Sequence, residues 1–127
     1  MEGPIAADEV LARFILDRSQ LRADRSVKHN AFMPPPSAKL SVYRIVGLCD
    51  PEVWQLGNEY VANIRGKPLV GRAEIKALEV TNCDLSVEAT TVPHPRHANI
   101  KGWKGDTEKD RLTAIKLASK AGTAKLT

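Results

Sequence analysis

The sequence predicts an α+β fold, a small and largely antiparallel sheet of at least three strands packed with about three helices, in the order α-β-α-β-β-α. Three observations lead there. Apolar residues between positions 10 and 15 recur at helical spacing, the stretches 40–46 and 70–89 alternate as strands do, and two later segments carry their own helix start and stop signals.

The first element follows Gly3-Pro4. Val10, Leu11, Phe14 and Ile15 recur at i, i+1, i+4 and i+5, with Asp8, Glu9, Arg13, Asp17 and Arg18 elsewhere, which reads as an amphipathic helix. Ser19 to His29 is polar, alternates in charge and has no apolar period, so a mobile loop is expected there. Pro34-Pro35-Pro36 then locks a short polyproline segment, a stiff spacer that Phe32 and Met33 pin to the core. Leu40 to Val46 alternates and is rich in β-formers, hence a strand.

Asp50-Pro51-Glu52 is the sharpest punctuation in the chain. Asp caps free amides, Pro suits the first helical position and Glu favours the positive end of the dipole. The helix that starts there carries Val53, Gly57, Tyr60, Val61 and Ile64 as its apolar stripe and stops at Arg65-Gly66-Lys67-Pro68. Val70 to Val80 reads as a long strand with a bulge near Ala77. After the turn Thr81-Asn82-Cys83-Asp84, the residues Leu85, Val87 and Ala89 resume alternation, so the two strands are expected to form an antiparallel hairpin. Asp106 or Thr107 caps a last helix bearing Leu112, Ile115, Ala118 and Ala121 and stopped by Gly122. One domain spanning 1–127 is expected, frayed at 1–6 and 122–127.

Composition narrows the class without naming a function. The apolar share of 43% and charged share of 27% belong to a globular chain, and the net charge of +4 leans toward anionic partners although no run of five or six cations occurs. Apolar stretches fall far short of a bilayer span, and no leader or transit pattern precedes the first element, so a cytoplasmic protein without a membrane anchor is expected.

Polar chemistry concentrates in His94-Pro95-Arg96-His97-Ala98-Asn99-Ile100-Lys101-Gly102-Trp103, read as a proline-stiffened connection between the hairpin and the last helix. Arg96, His97 and Lys101 make a cationic corner suited to phosphate or carboxylate, with Trp103 as a stacking surface or a core residue. Cys49, Cys83, His94 and His97 together make a two-cysteine, two-histidine set, but zinc sites bring cysteines in close pairs and these are a helix and a strand apart. No metal and no cofactor is expected. Glycine-rich phosphate loops, G-x-S-x-G elbows and H-E-x-x-H helices are missing, and no catalytic residue is assigned.

Ser41-Val42-Tyr43-Arg44 resembles the opening strand of ADP-ribosyltransferase-like and RES-type domains. That likeness implies NAD anchored by Arg44 and a late acid, for which Glu88 is the candidate. The alternative for Arg44 is an exposed strand cation, or one paired with Glu74 or Glu79. Leu11-Ala12-Arg13-Phe14-Ile15, Leu40-Ser41-Val42-Tyr43-Arg44, Trp54 with Gly57, Gly71-Arg72-Ala73, and Arg96-His97-Ala98-Asn99-Ile100 with Gly102-Trp103 resemble, over nearly the whole chain, a family of small bacterial proteins of uncharacterised function. The likeness implies a bacterial or phage origin and carries no activity to any residue. Where that pattern has a proline after Gly102-Trp103, this chain has Lys104.

The resulting expectation is a small basic, non-catalytic binding module, an accessory subunit that contacts RNA, DNA or another anionic partner through Arg44, Arg72, His94, Arg96, His97, Lys101 and Trp103. The alternatives are a subunit of a larger protein complex, anchored by apolar residues such as Trp54 or Leu56, and an NAD-using enzyme.

Overall fold

In a computed structural model describing residues 3–127, strands β1 (Val10–Ile15), β2 (Leu40–Arg44), β3 (Gly71–Lys76), β4 (Ser86–Ala89), β5 (His97–Lys101) and β6 (Lys125–Leu126) form one sheet. Its order is β4-β5-β2-β1-β3-β6, and every neighbouring pair is antiparallel. Helix α1 (Asp50–Gly57) continues through a π turn (Asn58–Ala62) into α2 (Asn63–Arg65), and with α3 (Ala77–Thr81) and α4 (Thr107–Ala121) this makes three helical bodies on an antiparallel sheet. The α+β class stands. Among the described residues no helix is long and apolar enough to cross a membrane.

The expected first helix is instead β1, at the centre of the sheet. At β1 both faces of the sheet carry a core, so the strand is apolar on both sides. Leu11 and Ile15 enter a core with Phe32, Val42, Ile75, Ile100 and Leu117, while Ala12 and Phe14 enter a second core with Tyr43, Val53, Leu56 and Leu69. Two-sided burial fills adjacent positions and so imitates a helical stripe. Ser19 to His29 is likewise held in place: Leu21 bridges Val27, Val27 is buried and donates its N–H to the Gly122 carbonyl, and Ser26 bridges Thr123.

The rod of α1, π turn and α2 explains a second departure. Its N-cap is Cys49, whose N–H donates to Glu52 Oε1 at 3.1 Å, so Asp50 is the first helical residue and its carboxylate is free to pair elsewhere. The π turn widens the coil by one residue per turn and rotates the stripe. Val53, Leu56, Gly57 and Ala62 are buried, while Ile64, expected on the inner face, is 69% exposed. The stop is as expected, with Gly66 at φ 64°.

Beyond β3 the chain turns into α3 rather than a bulged strand. Ala77 and Val80 are the buried residues of that helix, a spacing of three that suits one turn. The expected hairpin between residues 70–80 and 85–89 therefore does not form. β4 pairs with β5, with Val87 opposite Ile100 and Ala89 opposite Ala98. His97–Lys101 is consequently an internal strand and not a connection. Asp106 caps α4 by accepting from the Lys109 N–H at 2.9 Å, but the helix is turned from its expected face: Asp110, Ala114, Leu117 and Ala118 are buried, whereas Leu112 is 62% exposed. Past Gly122, where fraying is expected, β6 pairs with Gly71 and Arg72 and Thr127 donates its N–H to the Val70 carbonyl.

Candidate functional site

The seven residues expected to form a contact face are dispersed. Arg44 sits at the inner end of β2 and is 1% exposed, with Nε and Nη2 donating to both oxygens of Glu9 at 2.6 and 2.9 Å, Nη1 to the Gly3 carbonyl and Nη2 to the Pro4 carbonyl. Its partner is Glu9, not Glu74 or Glu79. Four of its five N–H donors are spent inside the chain and the side chain is buried, which does not suit it to anchor a dinucleotide. Arg72 is also buried; Nη2 donates to Asp50, Nε donates to Glu74, and the guanidinium carbon lies 4.5 Å from the Trp54 ring centre. Its Nη1 makes no hydrogen bond among the described residues, and the indole face beside it supplies a cation–π contact instead.

Arg96 is half-buried and Nη1 donates to the carbonyls of Arg44 and Val46. The ring of His94 meets that of Tyr60 edge-on at 4.6 Å, and burial pushes its pKa down. Lys101 pairs with Glu88 at 2.8 Å on an exposed part of the sheet, which accounts for the acid considered catalytic. Trp103 packs against the core on the α4 side and donates Nε1–H to the Ile100 carbonyl, so it lies across the sheet from His97 and offers no ring beside it. Cys49 is exposed and Cys83 half-buried. Among the described residues no three His, Cys, Asp or Glu side chains gather where a metal could sit, and the two-cysteine, two-histidine set is not brought together. The anchors considered for a protein partner are occupied as well: Leu56 is buried, and Trp54 is half-buried over Arg72.

What the fold does bring together is a cleft of about 390 Å³ on the α1 side of the sheet. Its floor is Phe14 of β1, Ser41 and Tyr43 of β2 and His97 of β5. Tyr60, Val61, Ile64 and Arg65 from the helical rod form one wall, and Asp17, Gln20, Lys67 and Pro93 close the rim. Phe14, Tyr43 and His97 form a continuous aromatic row, with ring centres 5.6 Å apart for the first pair and 5.2 Å for the second. Burial, with Tyr60 nearby, pushes the Tyr43 phenol pKa up.

Arg13 supplies the cleft's charge. It is half-buried, Nε donates to the Ala31 carbonyl at 2.9 Å and Nη1 to the Ser41 carbonyl at 3.0 Å, and no carboxylate pairs with it among the described residues. Burial and the neighbouring Arg65 push its pKa down to about 10. The group remains protonated at neutral pH. Arg65 and Lys67 add two rim cations with no ion pair among the described residues, the rim's one carboxylate being Asp17, which feels the Lys67 charge.

His97 is 7% exposed and held at both ring nitrogens: Nδ1 contacts Thr90 Oγ1, and Nε2 lies 3.1 Å from Ser41 Oγ. Burial lowers its pKa, so the ring is neutral at pH 7. The Thr90 hydroxyl also faces the carbonyls of Val92 and His97 at 3.0 and 3.2 Å. A hydroxyl has one proton, and a carbonyl can only accept. Two proton arrangements fit these contacts: Thr90 gives its proton to a carbonyl, accepts Nδ1–H and leaves Nε2 as an acceptor facing Ser41, or Thr90 donates to Nδ1 and Nε2–H donates to Ser41.

A larger opening of about 620 Å³ runs beside Arg44 and Arg72, but both arginines are already matched, Arg44 with Glu9 and Arg72 with Asp50 and Glu74. The smaller cleft holds a half-buried arginine that no carboxylate pairs with among the described residues. Comparison with protein-family models, with curated proteins and with solved structures finds no match for this chain.

Sequence reasoning passed over Arg13, Ser41, Tyr43, Tyr60, Arg65 and Lys67 as site residues. The signal was an arginine inside the apolar run Leu11 to Ile15, which becomes conspicuous only once that run is read as a central strand.

Proposed function

We propose that the chain is a binding domain for a small anionic ligand, taken into the cleft over Phe14, Tyr43 and His97 with its phosphate or carboxylate against Arg13 and the rim cations Arg65 and Lys67. The observation that carries this reading is the charge of Arg13. A partly desolvated cation without a counter-charge is costly, and an anion placed beside it repays that cost. The apolar and aromatic floor suits a planar or hydrocarbon portion of the same ligand, and a volume near 390 Å³ falls in the range of small-molecule sites. A cleft of this size favours a small molecule over a nucleic-acid strand, since Arg44 and Arg72 are internal and paired.

Thermal melting with inorganic phosphate and with a nucleoside monophosphate, on wild type and Arg13→Gln, tests the reading. Ligand at 100 times its dissociation constant stabilises by about 2.7 kcal/mol, several degrees in a domain of this size. The wild type is expected to shift and Arg13→Gln to lose most of the shift. Equal shifts in both, or none in the wild type, would defeat the proposal. A single-stranded oligonucleotide that binds with a steep salt dependence, tenfold or more between low and moderate ionic strength, would replace the small ligand with nucleic acid.

A further inference from the structure

We infer that the cleft is reactive as well as receptive: Ser41 is a nucleophile and His97 its general base, acting on a carboxylic ester that bears an anionic group. The inference rests on the anion-binding reading, which supplies the hold on the substrate. Three independent features converge on Ser41. Its hydroxyl lies in the cleft rather than in either core, at 3.1 Å from His97 Nε2. Thr90 Oγ1 at Nδ1, with two carbonyls in reach of its own proton, is placed to accept Nδ1–H and leave Nε2 to accept, the ground state a nucleophile and base pair requires. Finally, the Arg13 guanidinium stands beside Ser41 through Nη1 on its carbonyl, and Nη2 makes no hydrogen bond among the described residues. With Arg65 and Lys67 holding the substrate's anionic group, that nitrogen is a donor for charge that develops on a carbonyl oxygen.

The step closes in atoms and electrons. A lone pair of Ser41 Oγ forms a bond to the ester carbonyl carbon as its proton passes to His97 Nε2. The carbon–oxygen bond to the leaving alcohol then breaks, and the alkoxide takes the proton from His97. Water, activated by the same nitrogen, attacks the acyl-serine, releases the carboxylic acid and restores Ser41. Thr90 is a positioning residue, holding the ring in the tautomer that points its lone pair at Ser41. With a threonine rather than a carboxylate in that place, the imidazolium gains less stabilisation than in a Ser-His-Asp triad.

The test is covalent labelling of the intact chain by an alkyl fluorophosphonate, with the adduct mapped by peptide mass spectrometry and the fold of each variant checked by melting. The expected result is one adduct, on Ser41, absent in Ser41→Ala and slowed by about 100-fold or more in His97→Gln. In wild type the rate should fall as acid protonates His97, with its midpoint below the ordinary histidine value of 6.5. Thr90→Val should slow labelling and Thr90→Ser restore it. If His97→Gln does not fold, the wild-type pH profile decides alone. An adduct elsewhere, or a rate indifferent to His97 and to acid, overturns the inference. Phosphate stabilisation without labelling of Ser41 defeats this inference and leaves anion binding standing; labelling of Ser41 without phosphate stabilisation defeats anion binding and leaves the nucleophile.

Discussion

Two arginines of neighbouring central strands, Arg13 of β1 and Arg44 of β2, show how environment decides a cation's role, Arg13 having only carbonyl partners among the described residues. Arg44 is closed in by Glu9 and two carbonyls, and its charge serves the fold. Replacing it with Met strands the Glu9 carboxylate in a buried place, an expected loss of about 3–5 kcal/mol readable by denaturant titration, because breaking a buried pair leaves the other charge uncompensated. The Arg44 guanidinium holds the Glu9 pKa below its ordinary value of 4.5. The stability this gives is complete above that value and is lost as pH falls through the lower folded value, so Glu9→Gln should remove part of the acid sensitivity expected below pH 4.5. His97 has its folded pKa lowered by burial. Below about 6.5 the unfolded chain takes up a proton that the folded chain refuses, and stability declines. Between pH 6.5 and 5, melting of His97→Gln should therefore vary less than that of wild type. Of these residues only His97 was picked out as a site from the sequence and lies in the cleft. Arg44, Arg72 and Trp103 were conspicuous by type, but a guanidinium or an indole looks the same in a string whether it is spent on a carboxylate, on another ring or on a ligand.

At the scale of elements, the legible pieces were those whose ends are fixed by local chemistry. Gly66 and Gly122 stop helices because a positive φ follows the last turn, and Asp106 starts α4 through one side-chain bond, all within a few residues of sequence. β1 was illegible for the opposite reason. Its two-faced burial depends on layers contributed by residues 32, 53, 56 and 117, and neither layer can be read from positions 10–15. The π turn hid the inner face of α1 in the same way, since one extra residue in the coil moves every later side chain. Gly57 then becomes a packing residue: a methyl there would stand 2.5 Å from Phe14 Cε1. Gly57→Ala should cost about 1–3 kcal/mol, typical of overpacking, and should disturb the cleft floor through Phe14, which tyrosine fluorescence of Tyr43 and Tyr60 would register. Gly71→Ala would meet the backbone carbonyl of Lys125. It should release β6 with little effect elsewhere, seen as lost hydrogen-exchange protection at Thr127.

For the whole molecule, the sheet divides labour between its faces. The α4 side holds most of the core, while the α1 side is only partly covered, and the uncovered part of its floor is the cleft. The net charge of +4 pointed toward anions but not to a place, because the place is defined by charges left without partners after folding, and that is a property of pairing in three dimensions. If Arg13 is the anchor, ligand affinity should hold from neutral pH upward and fail as the solution approaches its pKa of about 10. The most direct measurement is a phosphate titration followed by nitrogen-15 chemical shifts, including the Arg13 side-chain Nε–H. Saturable shifts gathered at Arg13, Ser41, Tyr43, Arg65 and Lys67 are predicted. Shifts gathered instead around Lys101 and Glu88 or on the α4 face, or none that saturate, would contradict an anion site in this cleft.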